Sequence, residues 1–187
     1  FMSETQEPFC LFVASSLPHS PELTRIENGL TGYEASNWTT DRQLGKCIEL
    51  LKKADKKENT VIVFVSDSGS NTPRSKYTLF EPGVNVPMII HWPGHVQANS
   101  VSHALVDFTD VMPTLIELGG GISHRDMDGK SLLPLMKGED IAVRKDLFLS
   151  FTCLGVKGVK QPYPIRSVVS EKYKLIHYLN PNILPPK

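Results

Sequence analysis

The chain has 187 residues, of which 40% are hydrophobic and 21% charged, values that are ordinary for a globular protein with a sizeable core. Its 20 basic residues balance its 20 acidic residues, so no net charge favours binding to nucleic acid or to a membrane surface. No apolar run approaches the roughly 20 residues that a transmembrane helix needs, and the 3 cysteines are too few and too far apart to fix a redox compartment.

A short apolar run at residues 9–14 (FCLFVA) predicts a buried strand near the start of the chain. His19 follows in a turn between Pro18 and Pro21, which hold the backbone extended. From the residues alone, His19 is either a polar loop histidine or a group that transfers a proton near neutral pH. Residues 22–38 are polar and irregular and predict a loop, which in a hydrolase would shape the substrate pocket.

A helix is predicted from Thr40, which forms a capping box with Gln43, to Asn59. Its apolar residues recur at helical spacing and therefore predict one buried face. These residues are Leu44, Cys47, Ile48, Leu51 and Ala54. Several lysines lie at the C-terminal end of the helix, where positive charge interacts favourably with the negative end of the helix dipole.

Residues 61–65 (VIVFV) form a continuous apolar run and predict a central parallel strand that is buried on both faces. Asp67 and Ser68 follow directly, at the carboxyl end where open α/β sheets bind their ligands. Asp67 is therefore either a ligand for a hard cation or a turn former. Lys76 is either a solvated loop lysine or a positive charge for an anionic ligand that lies next to the cation.

The second half of the chain predicts short elements separated by turns. Glu81-Pro82-Gly83 turns the chain into a second strand at residues 86–92, and Asp110 is the predicted N-cap of a helix over residues 111–118. Three strand-like runs follow, with Gly and Pro between them, and predict a small antiparallel sheet. They lie at residues 147–152, 165–169 and 173–178, before a proline-rich tail.

Several of these segments together resemble the sulfatase family of the alkaline phosphatase superfamily. The runs VIVFVSDSGS and SKYTLFEPGVNVPMIIHWPG resemble the family's strand that ends in Asp-Asn-Gly and its Lys before a Tyr-Glu-Gly-Gly-x-x-x-Pro turn. Pro18-His19-Ser20-Pro21 is similar to the family's Pro-His-x-Pro turn. The segments DVMPTLIELGG and DGKSLLPLMKG follow in the family's order.

The resemblance implies an α/β fold: part of an alkaline-phosphatase-like three-layer α/β/α sandwich, with a small antiparallel C-terminal subdomain. Residues 1–145 would form the C-terminal half of the catalytic domain, and residues 146–187 the start of the C-terminal subdomain and the tail. By the same resemblance, the N-terminal half of the domain precedes these residues in a longer chain.

The resemblance also implies roles for individual residues. His19 and Lys76 are expected to bind the sulfate group and to act in catalysis, His19 by protonating the leaving-group oxygen and Lys76 by neutralising charge. Asp67 and Ser68 are expected to hold Ca²⁺, or else Mg²⁺. Sulfatases usually carry Asn after this aspartate. The serine hydroxyl is shorter and a poorer donor, so the cation is held more weakly or through a water molecule.

The reaction implied by the resemblance is sulfuric ester hydrolysis by the hydrate of a formylglycine. That residue is made within a Cys/Ser-x-Pro-x-Arg motif, which the 187 residues lack. The missing N-terminal half would supply it, and these residues alone are expected to be inactive. The alternatives are a truncated or degenerate non-catalytic sulfatase-like protein, and a phosphoester or phosphonate hydrolase of the same superfamily.

The partners and the location are further expectations from the resemblance. The expected substrate is a sulfate-ester small molecule or a sulfated glycan, with neither nucleic acid nor a membrane as partner. The expected location is secreted, periplasmic or lysosomal.

Overall fold

The computed structural model describes residues 4–5, 7–19, 29–70, 72–139, 141–152 and 163–180. The chain forms two compact units, residues 1–60 and residues 61–187, which we treat separately. Among the described helices, none combines the length and the apolar character that crossing a bilayer requires. The predicted proline-rich tail lies outside the described residues.

The first unit is built on one long helix, α1, at Gly32–Lys53. The helix begins eight residues before the predicted start, so the predicted capping box is wrong. Thr40 lies inside the helix, and its hydroxyl donates to the carbonyl of Ser36 at 3.0 Å. Back-bonding of this kind satisfies a threonine hydroxyl within a helix. The predicted loop is therefore helical at residues 32–38, whereas residues 20–28 lie outside the described residues.

The helix α1 ends at Lys53 rather than at the predicted position. Asp55 adopts a left-handed φ of 55°, and the N–H of Lys56 donates back to the carbonyl of Leu51 at 2.9 Å. These are the features of a Schellman-type helix end. A 3-10 turn at Lys57–Asn59 follows. The predicted apolar face is confirmed, because Leu51 is buried and the other predicted members are half-buried.

The strand predicted at residues 9–14 is wrong. These residues form no strand, and Leu11, Phe12 and Val13 are 49%, 76% and 67% exposed. A strand needs a neighbouring strand to pair its backbone groups, and the described residues of the first unit contain no strand.

The described residues of the second unit form two small sheets, of which the first joins β1 (Ile62–Val65) to β2 (Met88–His91). The two strands are antiparallel, so the predicted parallel arrangement is wrong for the pairing that the described residues make. The connection doubles back on itself, as the 3.2 Å bond from the N–H of Ser66 to the carbonyl of Pro87 shows, instead of crossing over the sheet. One helical turn, α2 (Glu81–Val84), lies within it at the predicted turn.

The second sheet consists of β3 (Asp146–Phe151), β4 (Ile165–Ser170) and β5 (Lys174–Tyr178) in that order. All pairs are antiparallel, which confirms the predicted small sheet to within one residue at each strand end. One face of the sheet packs on the segment that precedes β2. The side chains in contact form a hydrophobic cluster of the buried Leu79, Tyr163 and Ile165 and the half-buried Val84, Leu149, Phe151, Ile176 and Tyr178. The division of the chain at residues 145 and 146 stays a prediction.

Two further helices of the second unit, α3 (Val111–Leu118) and α4 (Leu133–Met136), contact each other. The bounds of α3 are those predicted from the sequence. Met136 joins Leu132 and Val143 in a second buried cluster, against which Val61, just before β1, and Met88 and Ile90 of β2 pack.

Asp110 is the N-cap residue of α3, as predicted, but its side chain makes no capping hydrogen bond to that helix. The carboxylate is fully buried and accepts bonds from the guanidinium of Arg144 and from the N–H groups of Lys130 at 2.8 Å and Asp107 at 2.9 Å. Asp107 caps the preceding 3-10 turn instead. The buried Asp110 carboxylate therefore connects three segments of the second unit, those that contain Asp107, Lys130 and Arg144.

Candidate active site

Most of the candidate residues lie on the connection between β1 and β2, residues 66–87, which we call the β1–β2 loop. The N–H of Gly69 donates to the carbonyl of Gly83 at 3.2 Å. The hydroxyl of the buried Ser75 donates to the carbonyl of Pro82 at 2.7 Å. The two limbs of the loop are thus tied together just beyond the carboxyl end of β1.

Two glycines make this close approach possible. A Cβ on Gly69 would overlap the carbonyl of Pro82 and the hydroxyl of Ser75, and would lie 2.8 Å from the Cα of Gly83. A Cβ on Gly83 would overlap the carbonyl of Ser75 and lie 2.7 Å from the carbonyl of Thr78. Only residues without a side chain fit where the two backbones approach this closely.

Two residues other than glycine adopt the left-handed backbone conformation in this loop. The φ angles are 59° at Arg74 and 66° at Tyr77, so the pair Ser75 and Lys76 is flanked on both sides. Such a conformation costs about 1 to 3 kcal/mol for each residue, which surrounding contacts must offset. Strain of this kind is concentrated at ligand sites. The backbone conformation around Lys76 therefore indicates a ligand site independently of the charge of the lysine.

Lys76 lies between these two strained residues and is half-buried. Its N–H donates to the carbonyl of Ser70 at 3.1 Å, which fixes its backbone. Its Nζ lies 5.5 Å from the centre of the Tyr77 ring, a cation–π contact. An ammonium group on a fixed backbone, with part of its side chain still open to solvent, can neutralise an anionic ligand.

Asp67 and Ser68 follow the end of β1, Asp67 exposed and Ser68 half-buried. The hydroxyl of Ser68 donates to the carbonyl of Gly69 at 3.3 Å, so its oxygen still has lone pairs to offer. Ca²⁺ takes about 6 to 8 oxygen ligands. Within the part of the chain that the structure describes, no three His, Cys, Asp or Glu side chains could hold a metal ion together. Asp67 and Ser68 can each offer an oxygen to a hard cation, and that they hold one stays a prediction.

His19 belongs to the first unit, where it lies in an exposed turn after residues 9–14. Its N–H donates to the carbonyl of Ser16 at 3.1 Å. The structure brings Asp67, Ser68 and Lys76 onto one loop of the second unit. That His19 shares a site with them stays a prediction.

Sequence reasoning missed the residues that hold the β1–β2 loop from the second sheet. The Nζ of Lys174 forms an ion pair with Oε1 of Glu81 at 2.6 Å. The hydroxyl of Tyr163, a residue that is 1% exposed, donates to the carbonyl of Tyr77 at 3.4 Å. The sequence indicated Glu81 only as a turn residue. Its contact with Lys174 joins residues 93 positions apart, and such a contact leaves no local pattern in the sequence.

Two family models match the chain. The family described as "Sulfatase" matches residues 1–122. The family described as "N-sulphoglucosamine sulphohydrolase, C-terminal" matches residues 74–183.

Curated proteins and a solved structure are also similar to the chain. An ulvan-active sulfatase of Formosa agariphila is 30% identical over an aligned length of 204 residues, and the alignment covers 96% of this chain and 40% of that protein. The N-acetylgalactosamine-6-sulfatase of Mus musculus is 35% identical over an aligned length of 154 residues, and the alignment covers 72% of this chain and 30% of that protein. The chain therefore spans less than half the length of these relatives.

The solved structure is that of a protein in complex with its substrate D-glucosamine-2-N,6-O-disulfate. It superposes with a TM-score of 0.72 at 24% identity, over 80% of this chain and 31% of that one. This likeness confirms the predicted fold class.

Proposed function

Because the chain belongs to the sulfatase family, we propose that it forms the C-terminal part of the catalytic domain of a sulfuric ester hydrolase. The observation that carries this proposal is the setting of Lys76, a half-buried lysine between two left-handed residues on the β1–β2 loop. Transfer of an oxyanion group requires positive charge that is fixed before the reaction begins. The two limbs of the β1–β2 loop approach closely at Gly69 and Gly83. This strained loop fixes the backbone of Lys76, whose ammonium group is the positive charge required.

The residues of this chain have distinct roles in the proposed reaction. Lys76 binds an oxygen of the sulfate group and neutralises negative charge as the bond between sulfur and the ester oxygen breaks. His19 donates a proton to that ester oxygen, so that an alcohol rather than an alkoxide leaves. The nucleophile, a formylglycine hydrate by family resemblance, lies outside these 187 residues because they contain no Cys/Ser-x-Pro-x-Arg motif.

Asp67 and Ser68 are the proposed ligands of a divalent cation, Ca²⁺ or else Mg²⁺. The bound cation would polarise a sulfate oxygen and so favour attack at sulfur. A carboxylate at the end of a strand is a hard oxygen donor with little freedom of movement, which suits such an ion. The other ligands would come from elsewhere in the complete protein.

A sulfated sugar is the substrate class that we propose. Its support is the names of the similar proteins, an ulvan-active sulfatase and an N-acetylgalactosamine-6-sulfatase, and the sulfated glucosamine of the similar structure. The proposed location, secreted, periplasmic or lysosomal, rests on family resemblance.

Lys76→Ala in the complete protein that carries this chain tests the proposal. We expect turnover of an aryl sulfate to fall on the order of 10²- to 10³-fold, because the group that neutralises the sulfate is lost. The thermal unfolding midpoint should stay unchanged. Lys172→Ala removes an exposed lysine of the turn between β4 and β5 and is the matched control, with full turnover expected. Near-normal turnover in Lys76→Ala would contradict the proposed role.

The same assay separates the alternative functions. Preference for an aryl phosphate over the aryl sulfate would favour a phosphoester hydrolase, and turnover of neither ester would favour a non-catalytic protein. His19→Ala should affect esters of poor leaving groups most, because they depend most on protonation of the departing oxygen. An equal loss for good and poor leaving groups would argue against His19 as the acid.

A further inference from the structure

We infer that Tyr163 and Lys174, which belong to the C-terminal part of the chain around β4 and β5, are positioning residues for Lys76. The inference rests on the proposed function, because it concerns the loop that carries the sulfate-binding lysine. Both residues act on the segment that directly follows Lys76, residues 77–81.

Tyr163 holds the first residue of this segment. Its hydroxyl donates to the carbonyl of Tyr77 at 3.4 Å. Tyr163 is only 1% exposed. Phe151 of β3 lies near both tyrosines, with its ring centroid 6.2 Å from that of Tyr77 and 5.9 Å from that of Tyr163. Because Tyr77 has a left-handed φ of 66°, these contacts stabilise a conformation that is unfavourable on its own.

Lys174 holds the last residue of the segment. Its Nζ lies 2.6 Å from Oε1 of Glu81, and the side chains are 16% and 60% exposed, respectively. The contact is a charge-assisted hydrogen bond. The lysine end is largely shielded from water, so the pair is less screened than an ordinary surface ion pair.

The middle of the segment is also fixed by the sheet. Leu79 is 4% exposed and packs in one cluster with Tyr163 and Ile165. Residues 77–81 are therefore held at both ends and at the centre. Since Lys76 is joined to Tyr77 by one peptide bond, a shift of the Tyr77 backbone moves Lys76 with it. The second sheet thus determines where the ammonium group lies.

A charge swap in the complete protein tests this inference. Lys174→Glu and Glu81→Lys each place like charges together, and we expect kcat for an aryl sulfate to fall on the order of 10- to 100-fold through displacement of Lys76. The double variant Lys174→Glu/Glu81→Lys restores the attraction, so most of the lost kcat should return. Lys172→Glu makes the same charge change at an exposed neighbouring position and should keep wild-type kcat.

Tyr163→Phe is a second variant, which keeps the ring in the cluster and removes only the hydroxyl. It should lower kcat by a smaller factor than either charge variant, with only a small fall in the thermal unfolding midpoint, because a single hydrogen bond is lost. Wild-type kcat in this variant would remove Tyr163 from the inference.

Hydrogen–deuterium exchange of residues 70–80 gives a readout that does not require activity. The N–H of Lys76 is bonded to the carbonyl of Ser70. It should therefore exchange faster in the single charge variants and at the wild-type rate in the double variant. If exchange follows this pattern while Lys76→Ala keeps full turnover, the proposed function fails and the positioning holds. If Lys76→Ala loses turnover while the single charge variants keep wild-type kcat, the positioning inference is wrong.

Discussion

Individual residues of the β1–β2 loop are constrained by how closely its two limbs approach. Gly69 has no space for a Cβ, because the carbonyl of Pro82 and the hydroxyl of Ser75 occupy it. Gly45, in contrast, lies in α1 with no such atom within 4 Å of a Cβ. The same substitution should therefore have opposite effects at the two positions.

Gly69→Ala should lower the free energy of unfolding by about 1 to 3 kcal/mol, because the backbone on the opposite limb must move to admit a methyl group. Gly45→Ala is the control and should raise that free energy by about 0.5 to 1 kcal/mol, since alanine is the better helix former. Urea unfolding measures both values. Equal changes at the two glycines would contradict the close approach of the limbs.

Ser68 is where the sequence departs from the sulfatase pattern, and this departure makes a prediction about cation affinity. Ser68→Asn supplies an amide oxygen that reaches further than a hydroxyl, so Ca²⁺ should bind the complete protein on the order of tenfold more tightly. Titration calorimetry with CaCl₂ measures this, with Asp67→Asn as a variant that should bind more weakly. Unchanged affinity in both variants would remove these residues from the cation site.

At this scale the sequence predicts charges better than backbone geometry. Asp67 and Lys76 are recognisable because one follows an apolar strand and the other precedes a turn at a spacing that the family shares. The left-handed conformations of Arg74 and Tyr77 have no such signal. At Tyr77 the hydrogen bond that holds the backbone comes from Tyr163, 86 residues later in the chain. The ion pair of the Asp110 side chain has no local signal either, since its partner Arg144 is distant in sequence.

Among the elements, those with a local pattern were predicted and those that depend on neighbours were not. The strands β3 to β5 are short strand-like runs with turn residues between them, so their ends were predicted to within one residue. The run at residues 9–14 has an equally apolar sequence but no strand beside it among the described residues of its unit. Composition cannot distinguish these two cases.

Ser167 on β4 offers a test of packing within an element. It is 5% exposed, and among the described residues its Oγ has no hydrogen-bond partner. A buried hydroxyl without a partner costs about 1 to 3 kcal/mol. Ser167→Ala should therefore raise the free energy of unfolding, by about 1 kcal/mol after the small loss of packing.

Ser150→Ala is a suitable comparison for Ser167→Ala, because Ser150 is an exposed serine on the neighbouring strand β3. Its substitution should change the free energy of unfolding very little. Urea unfolding measures both variants. A decrease in stability on Ser167→Ala would show that the hydroxyl has a stabilising partner.

Over the whole molecule, the buried pair of Asp110 and Arg144 makes stability depend on pH. Burial alone raises the pKa of Asp110, but the hydrogen bonds from Arg144 and from the N–H groups of Lys130 and Asp107 outweigh it and hold the pKa below its ordinary value. The hydrogen bond to Asp110 raises the pKa of Arg144. The carboxylate's contribution is therefore fully present above the pKa of an unfolded aspartate and is lost as pH falls through the folded pKa.

Asp110→Asn should lower the free energy of unfolding by about 3 to 5 kcal/mol near neutral pH, because it leaves a largely buried guanidinium without its carboxylate. The difference from wild type should begin to shrink as the pH falls below about 4, the pKa of an unfolded aspartate, and should disappear only below the lower pKa of the folded carboxylate. Urea unfolding across this range measures both effects. Asp126→Asn, at a side chain that is 73% exposed, is the control and should have little effect at any pH.

The way the β1–β2 loop is held has a consequence for synthesis of the protein. Lys174 lies 93 residues after its partner Glu81, and a ribosome needs about 5 to 20 s to add that many residues. The loop therefore leaves the ribosome well before the residues that hold it. A nascent chain that pauses in this interval would present Tyr77 and Leu79 to chaperones and proteases before either has its native contacts.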